Sequence, residues 1–151
     1  MKKLIFCILC VFLPLIINSV LFSQEEKGNI KIEGSGFKSD EGKARILIFS
    51  VKEKDGFPSD QKNAFLKKII SIENQKVQIE INDIPFGEYA ISVHHDINND
   101  GKVNKNWIGI PKEGLGCSND AKGNFGPPSY NQAKFILNSK QKILRINIVN
   151  P

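Results

Sequence analysis

The chain has 151 residues, with 21 Lys and Arg against 16 Asp and Glu, a formal charge of +5 at pH 7. That length suits one domain with a conventional core. The positive excess is mild and spread along the sequence, with no basic block and no interleaved aromatics, which excludes a nucleic-acid footprint.

The first 23 residues stand apart. Met1-Lys2-Lys3 gives a positive start, residues 4–15 an apolar core interrupted only by Pro14, and Asn18-Ser19-Val20-Leu21-Phe22-Ser23 a run that closes on a small residue. This is the three-part layout of a secretory signal peptide, and it predicts cleavage after Ser23 with export to the periplasm or beyond. The rival is an uncleaved anchor, because the apolar run to Phe22 approaches the ~20 residues that span a bilayer. Pro14, Asn18 and Ser19 weigh against it. Cys10 is rejected as a lipoprotein acceptor, since Leu9 stands where a small residue belongs and the apolar stretch before it is too short. Cleavage removes Lys2, Lys3, Cys7 and Cys10, so the mature chain, 24–151, carries +3 and one cysteine, Cys117. A single cysteine cannot staple a domain internally, so the fold must rest on its apolar core. No membrane insertion is expected of the mature chain.

After a polar lead-in at 24–28, the apolar period is two, the signature of half-buried strands. Ile30 and Ile32 share one face of a first strand that Gly34-Ser35-Gly36 closes, and Asp40-Glu41-Gly42-Lys43 forms a turn. Residues 44–51 (ARILIFSV) are nearly continuous in apolar character, as in a central strand covered on both faces. Asp55-Gly56-Phe57-Pro58 breaks it. Residues 59–72 admit two readings: a helical turn or two capped by Ser59, or a loop followed by a short edge strand around 67–72. Val77, Ile79 and Ile81 alternate with polar residues in a one-face strand, and 82–87 reads as a turn. Tyr89, Ile91, Val93 and His95 then face one way, with Ala90, Ser92 and His94 the other.

That strand runs into residues 94–130, which the pattern presents as one long loop. Between 96 and 131, 16 of 36 residues are Gly, Pro or Asn, leaving no room for a regular element of useful length. Unstructured loops this long are uncommon in compact domains and are usually functional or disordered. Trp107, Ile108, Ile110, Leu115, Phe125 and Tyr130 argue for order, since disordered tracts are poor in such residues. Beyond it, 133–137 and 143–149 are expected to pair as a terminal hairpin around Asn138-Ser139-Lys140-Gln141. The sum is an all-β fold, an antiparallel β-sandwich of six or seven strands with one long ordered loop.

The loop opens with Asp96-x-Asn98-x-Asp100-Gly101, the start of a calcium loop. Alternate short oxygen-bearing side chains can fold inward on a hard cation, and Gly101 permits the sharp turn that aims the Lys102 carbonyl at the same ion. Asn104 stands ninth, where a ligand often acts through water. The twelfth position is Trp107 in place of a bidentate Glu, and no long helices flank the loop, so this is not an EF-hand. A further ligand would come from Glu113, Asn106 or Asp120. The expected metal set is therefore Asp96, Asn98, Asp100, the Lys102 carbonyl, Asn104 and Glu113. With few carboxylates, and lysines 102, 105, 112 and 122 nearby, an affinity on the order of 10⁻⁴–10⁻³ M is expected for calcium. The alternative is an Asx-turn cluster in which Asp96, Asn98 and Asp100 cap backbone amides without metal. Ordering some 30 residues at ~1–2 kcal/mol each requires a large return, which the ion and the packing of Trp107, Ile110, Phe125 and Tyr130 on the sandwich would supply.

Other groups carry weaker signals. His94 and His95 are consecutive on a strand and face opposite sides, so they cannot easily share an ion. His95 reads better as a core-edge residue bonded to the loop. Cys117 reads better as a buried small hydrophobe than as a nucleophile paired with either histidine. Trp107, Phe125 and Tyr130 are candidates for a ligand-stacking surface, against the simpler role of anchoring the loop.

Four runs carry a resemblance: His95-Asp96-x-Asn98-x-Asp100-Gly101-Lys102; Gly109-Ile110-Pro111-x-Glu113-x-x-Gly116; Ser118-Asn119-x-Ala121; and Phe125-Gly126-Pro127-Pro128-Ser129-Tyr130-x-x-Ala133-x-Phe135. Together they resemble a secreted bacterial family known only as a domain of unknown function, catalogue number 2141. The likeness covers most of the mature chain and is densest from Tyr89 to Phe135. It implies an exported protein with one small β-domain and no assigned activity, so no catalytic residue carries over. Cys117, where the family usually has an aromatic, and His94, which doubles the His, depart from the pattern and argue against a required role for either. The Ile84-Pro85-Phe86-Gly87-x-Tyr89 turn is similar to one in transthyretin-like and carboxypeptidase-regulatory-like sandwiches, a likeness of fold alone.

The functional expectation is an exported, non-enzymatic module whose calcium-organised loop presents a binding surface to a polysaccharide or another envelope protein. The alternative is a small extracytoplasmic hydrolase using the loop cleft, with Asp96, His95 or Glu113 as acid or base. A third reading makes the loop a lid on the core and nothing more.

Overall fold

Alternation of isoleucines with polar residues builds the smaller of two sheets. The computed structural model describes residues 25–124 and 126–151. The expected signal peptide, 1–23, and Phe125 lie outside the described residues. Strands β1 (Lys27–Ser35), β4 (Lys76–Pro85) and β8 (Gln141–Asn147) form a sheet in the order β4-β1-β8. Ile30 lies opposite Ile81 and Ile32 opposite Ile79 across the antiparallel β1–β4 pair, while Ile32 stands beside Leu144 in the parallel β1–β8 pair.

The larger sheet runs β3-β2-β5-β6, from β2 (Lys43–Ser50), β3 (Leu66–Ile70), β5 (Gly87–Asp96) and β6 (Leu115–Cys117). β7 (Phe135–Leu137) takes the other half of the same β5 edge. The inner faces meet in one core that includes Ile30, Ile32, Ile46, Ile48, Ile91 and Val93, each fully buried and each worth roughly 1.5–3 kcal/mol in transfer free energy. The outer face of the larger sheet is covered too. Leu47, Phe49, Ala90, Cys117, Tyr130 and Ala133 form a second cluster there, flanked by Phe57 and Ala64. Double coverage explains why 46–49 reads as an unbroken apolar run.

The all-β sandwich holds, with eight strands where six or seven were expected. Four details differ. First, β1 and β8 pair in parallel, so the sandwich is mixed. Second, the expected terminal hairpin does not form: β7 stays on β5 and β8 crosses to the smaller sheet, because Leu137 faces the core between the layers and Ser139-Lys140 carries the chain over. Third, the expected turn at 82–87 narrows to Phe86. β4 continues to Pro85 past Asp83, which takes a positive φ of 60°, and the chain switches sheets at this corner. Fourth, residues 94–130 are not wholly irregular. They contain β6, a 3-10 turn (Ser118–Asp120) and the start of a short helix, α1 (Tyr130–Ala133). Between the two readings of 59–72, the structure has the loop and edge strand. A 3-10 turn at Val51–Gly56, capped reciprocally by Ser50 and Glu53, follows β2.

Candidate functional site

Residues on the outer face of the larger sheet set the base of the 97–114 loop. Arg45 of β2 and His94 and Asp96 of β5 share that face by strand alternation, with Arg45 directly opposite His94. Asp96 is fully buried and its Oδ2 forms an ion pair with Arg45. The same carboxylate winds the loop: Oδ1 accepts the Asp100 N–H at 3.2 Å and Oδ2 the Gly101 N–H at 3.0 Å. Asn98 Oδ1 accepts the Asp100 N–H at 3.2 Å, and Asp100 Oδ1 accepts the Lys102 N–H at 2.8 Å. Gly101 has φ +77°, and a Cβ there would stand 3.3 Å from the Arg45 guanidinium. Glycine suits both the turn and the close approach, where a Cβ would be strained and would crowd Arg45.

Glu113 holds the returning limb. Its buried carboxylate accepts from Ile97 N–H (3.0 Å) and Asn104 N–H (3.2 Å), and lies 2.9 Å from His94 Nε2. The Asn98 and Asn104 side-chain amides both donate to Asp100 Oδ2 at 3.0 Å, and Asn104 also reaches Glu113 Oε2 at 3.4 Å. The Asn104 NH₂ thus sits between two carboxylates, and a half-turn of that amide would present a carbonyl oxygen instead. Of the reserve ligands, Glu113 joins the arc. Asn106 and Asp120 do not: Asn106 caps the loop tip, and Asp120 accepts from Asn147 N–H at 3.1 Å. Among the described residues no three His, Cys, Asp or Glu side chains converge as ready metal ligands. Asp96 is turned to Arg45 and Glu113 to His94.

Beyond this base the loop projects a tip. Asn106 Oδ1 accepts from Ile108 N–H (3.1 Å) and Ile110 N–H (2.9 Å), Asn106 N–H donates to the Ile110 carbonyl (2.8 Å), and Gly109 N–H to the Asn106 carbonyl (3.0 Å). Trp107 is 94% exposed, Ile108 55% and Ile110 49%. The expectation that Trp107 and Ile110 pack on the sandwich is overturned, because the Asn106 turn points them away from it. Tyr130 goes the other way. It is 7% exposed and donates its hydroxyl to the Glu88 carbonyl at 3.1 Å, so it anchors the chain and offers no stacking face.

A family described as an uncharacterized protein conserved in bacteria, DUF2141, matches residues 30–145. The chain belongs to that family. No curated protein and no solved structure matches. The match takes in most of the sandwich and the whole loop of this DUF2141 chain, and the family's description assigns no activity to either.

The groups of the DUF2141 chain that invite a catalytic reading are each tied down. His95 is fully buried on the inner face, its Nε2 2.9 Å from the Glu41 carbonyl and its ring edge-on to Phe37. Its side chain thus bonds the turn after β1, while its backbone N–H donates to the Gly114 carbonyl of the long loop at 2.9 Å. The second ring nitrogen of each histidine, Nδ1, is buried without a hydrogen-bond partner among the described residues. Burial pushes the Cys117 thiol up to about 12, which keeps it protonated and poorly nucleophilic at neutral pH. Asp100 is held below the ordinary carboxylate range by the Lys102 N–H, and next by the Asn104 amide. Sequence reasoning did not find Arg45 or Gln61, whose side-chain amide donates to the Gly101 carbonyl. A lone charge inside the apolar 44–49 run was the available signal for Arg45.

Proposed function

We propose that this DUF2141 protein is an exported, non-enzymatic binding module whose 97–114 loop is fixed by calcium and presents its tip to a partner in the cell envelope. The observation that carries this reading is Trp107, projecting from a loop whose base is tied to the sheet by Asp96 and Glu113. A large apolar side chain held in solvent by an ordered backbone suits recognition better than it suits a core. Calcium fits the donor chemistry of the base. Asp96, Asn98 and Asp100 already accept the amides that wind such a loop, and Glu113 and Asn104 stand beside Asp100. The ion would take the place of the amide NH₂ groups that now donate to Asp100 Oδ2. The non-catalytic part rests on His94, His95, Glu113 and Cys117 being buried and engaged in the fold. Export rests on the 1–23 pattern; among the described residues no helix is long and apolar enough to cross a membrane.

Limited proteolysis between Gly101 and Gly126, in millimolar calcium and in chelator, tests the organising ion. Cleavage slowed by calcium, and no longer slowed in Asp100→Ala, is expected; identical digestion in both conditions would remove calcium from the proposal. Esterase or glycosidase turnover abolished by His95→Ala, in a variant that still melts cooperatively, would replace the binding module with a hydrolase.

A further inference from the structure

The tip of the loop combines three properties that together name a partner. Its apolar side chains, Trp107, Ile108 and Ile110, are exposed side by side. Its backbone is turned in on itself at four amides: those of Asn106, Ile108, Gly109 and Ile110 find acceptors within the tip, and Lys112 N–H donates to the Asn104 carbonyl at 2.8 Å. Its charge is one-sided. Lys102, Lys105 and Lys112 are exposed on the two limbs, Glu113 is buried against His94, and Asp100 is the one exposed acid of residues 100–113, with its carboxylate already engaged by three donors.

We infer that residues 105–111 form a membrane-interface anchor, which seats Trp107, Ile108 and Ile110 among the headgroups of an anionic bilayer with Lys102, Lys105 and Lys112 on the lipid phosphates. This names the partner of the surface proposed above and rests on that reading of the tip. A segment seated at a bilayer interface benefits from pairing its own backbone groups, because lipid offers little replacement for water, and the Asn106, Ile108, Gly109 and Ile110 amides of this tip are paired in that way. Tryptophan is the side chain enriched where acyl chains meet headgroups. A sugar-binding surface would pair the ring with free polar groups, yet the exposed residues Ile108 and Ile110 that follow Trp107 are apolar and Asn106 gives its side-chain oxygen to the tip's own amides. The expectation of no membrane insertion is here replaced by shallow seating of one loop.

The chain has a single tryptophan, so its emission reports on the tip whatever the state of residues 1–23. The experiment adds phosphatidylglycerol-rich vesicles, or phosphatidylcholine vesicles, to the purified protein. Expected are a blue shift and quenching by brominated lipid with the anionic vesicles only, both reversed by high salt. Each of Lys105→Gln and Lys112→Gln should weaken binding about fivefold. Trp107→Ala, followed by vesicle sedimentation, should weaken it about tenfold or more without lowering the melting temperature. Unshifted emission with anionic vesicles overturns the inference. So does sedimentation that survives Trp107→Ala, which would assign the binding to another surface. A shift produced by polysaccharide or a protein partner but by no vesicle also overturns it, while leaving the binding-module reading intact.

Discussion

Asp96→Ala removes the residue that ties the outgoing limb of the loop to the sheet. In the native fold its fully buried carboxylate pairs with Arg45 and accepts two loop amides, at 3.2 and 3.0 Å. Truncation leaves Arg45, itself largely buried, without its counter-charge, and leaves the Gly101 amide without an acceptor. Breaking a buried pair from one side costs about 3–5 kcal/mol, because the surviving charge stays desolvated. Against a total stability of ~5–15 kcal/mol the variant should still fold, with a melting temperature lower by roughly 10–20 °C. Far-UV circular dichroism is the assay, since Trp107 is already in solvent and its emission will barely follow unfolding. Adding Arg45→Met should recover part of the loss, as the orphaned guanidinium is then gone. The two substitutions together should therefore cost less than their separate costs combined, by ~1 kcal/mol or more. A loss below about 1 kcal/mol for Asp96→Ala, or strict additivity in the double variant, would refute the view that this pair anchors the loop.

With calcium at about 10 mM and an affinity of 10⁻⁴–10⁻³ M, linkage predicts ~1.4–2.7 kcal/mol of added stability and a melting temperature higher by roughly 5–10 °C, checked by calorimetry against chelator. Ser118 Oγ accepts the Ile91 N–H at 2.9 Å and donates to the Ala133 carbonyl at 2.6 Å, fully buried; Ser118→Ala should cost about 1–3 kcal/mol in urea titration. Cys117 should resist thiol reagents at pH 8 until the protein unfolds. Because its pKa is raised to about 12 from an ordinary 9.0, the native state should be unaffected below pH 9 and lose stability as pH rises beyond it. Asp100, with a lowered pKa, should support the loop above its ordinary value of 3.8 and release it as pH falls below that, read by hydrogen exchange at Lys102 and absent in Asp100→Asn.

Periodicity made the strands legible wherever one face was buried, as at Val77, Ile79 and Ile81, and the continuous run at 46–49 correctly signalled a central strand. It failed where an element is too short to show a period. Leu115-Gly116-Cys117 is a strand only because β5 offers a free edge, with Ser92 opposite Cys117 and His94 opposite Leu115. Partner choice was likewise hidden: the alternation in 143–147 fits an antiparallel hairpin and a parallel neighbour equally well. At the site, the Asp96, Asn98 and Asp100 grouping was readable from spacing, while Glu113 was one of three oxygens the sequence offered and the fold brings it beside Asn104. The direction of Trp107 was not, since it depends on the Asn106 turn, and sequence alone gave the ring every reason to be buried. Arg45 escaped because its role follows from cross-strand register, a property of the pair β2 and β5 and of neither strand alone.

The parallel seam between β1 and β8 governs when this chain can become itself. More than a hundred residues separate Asn29 from Gln141, its neighbour across that seam. A segment ending before β8 has β4 on one edge of β1 and leaves the other edge unpaired. Contacts so distant along the backbone are slow to close. The smaller sheet is therefore complete only once β8 has paired, and its assembly waits on the last strand of the fold.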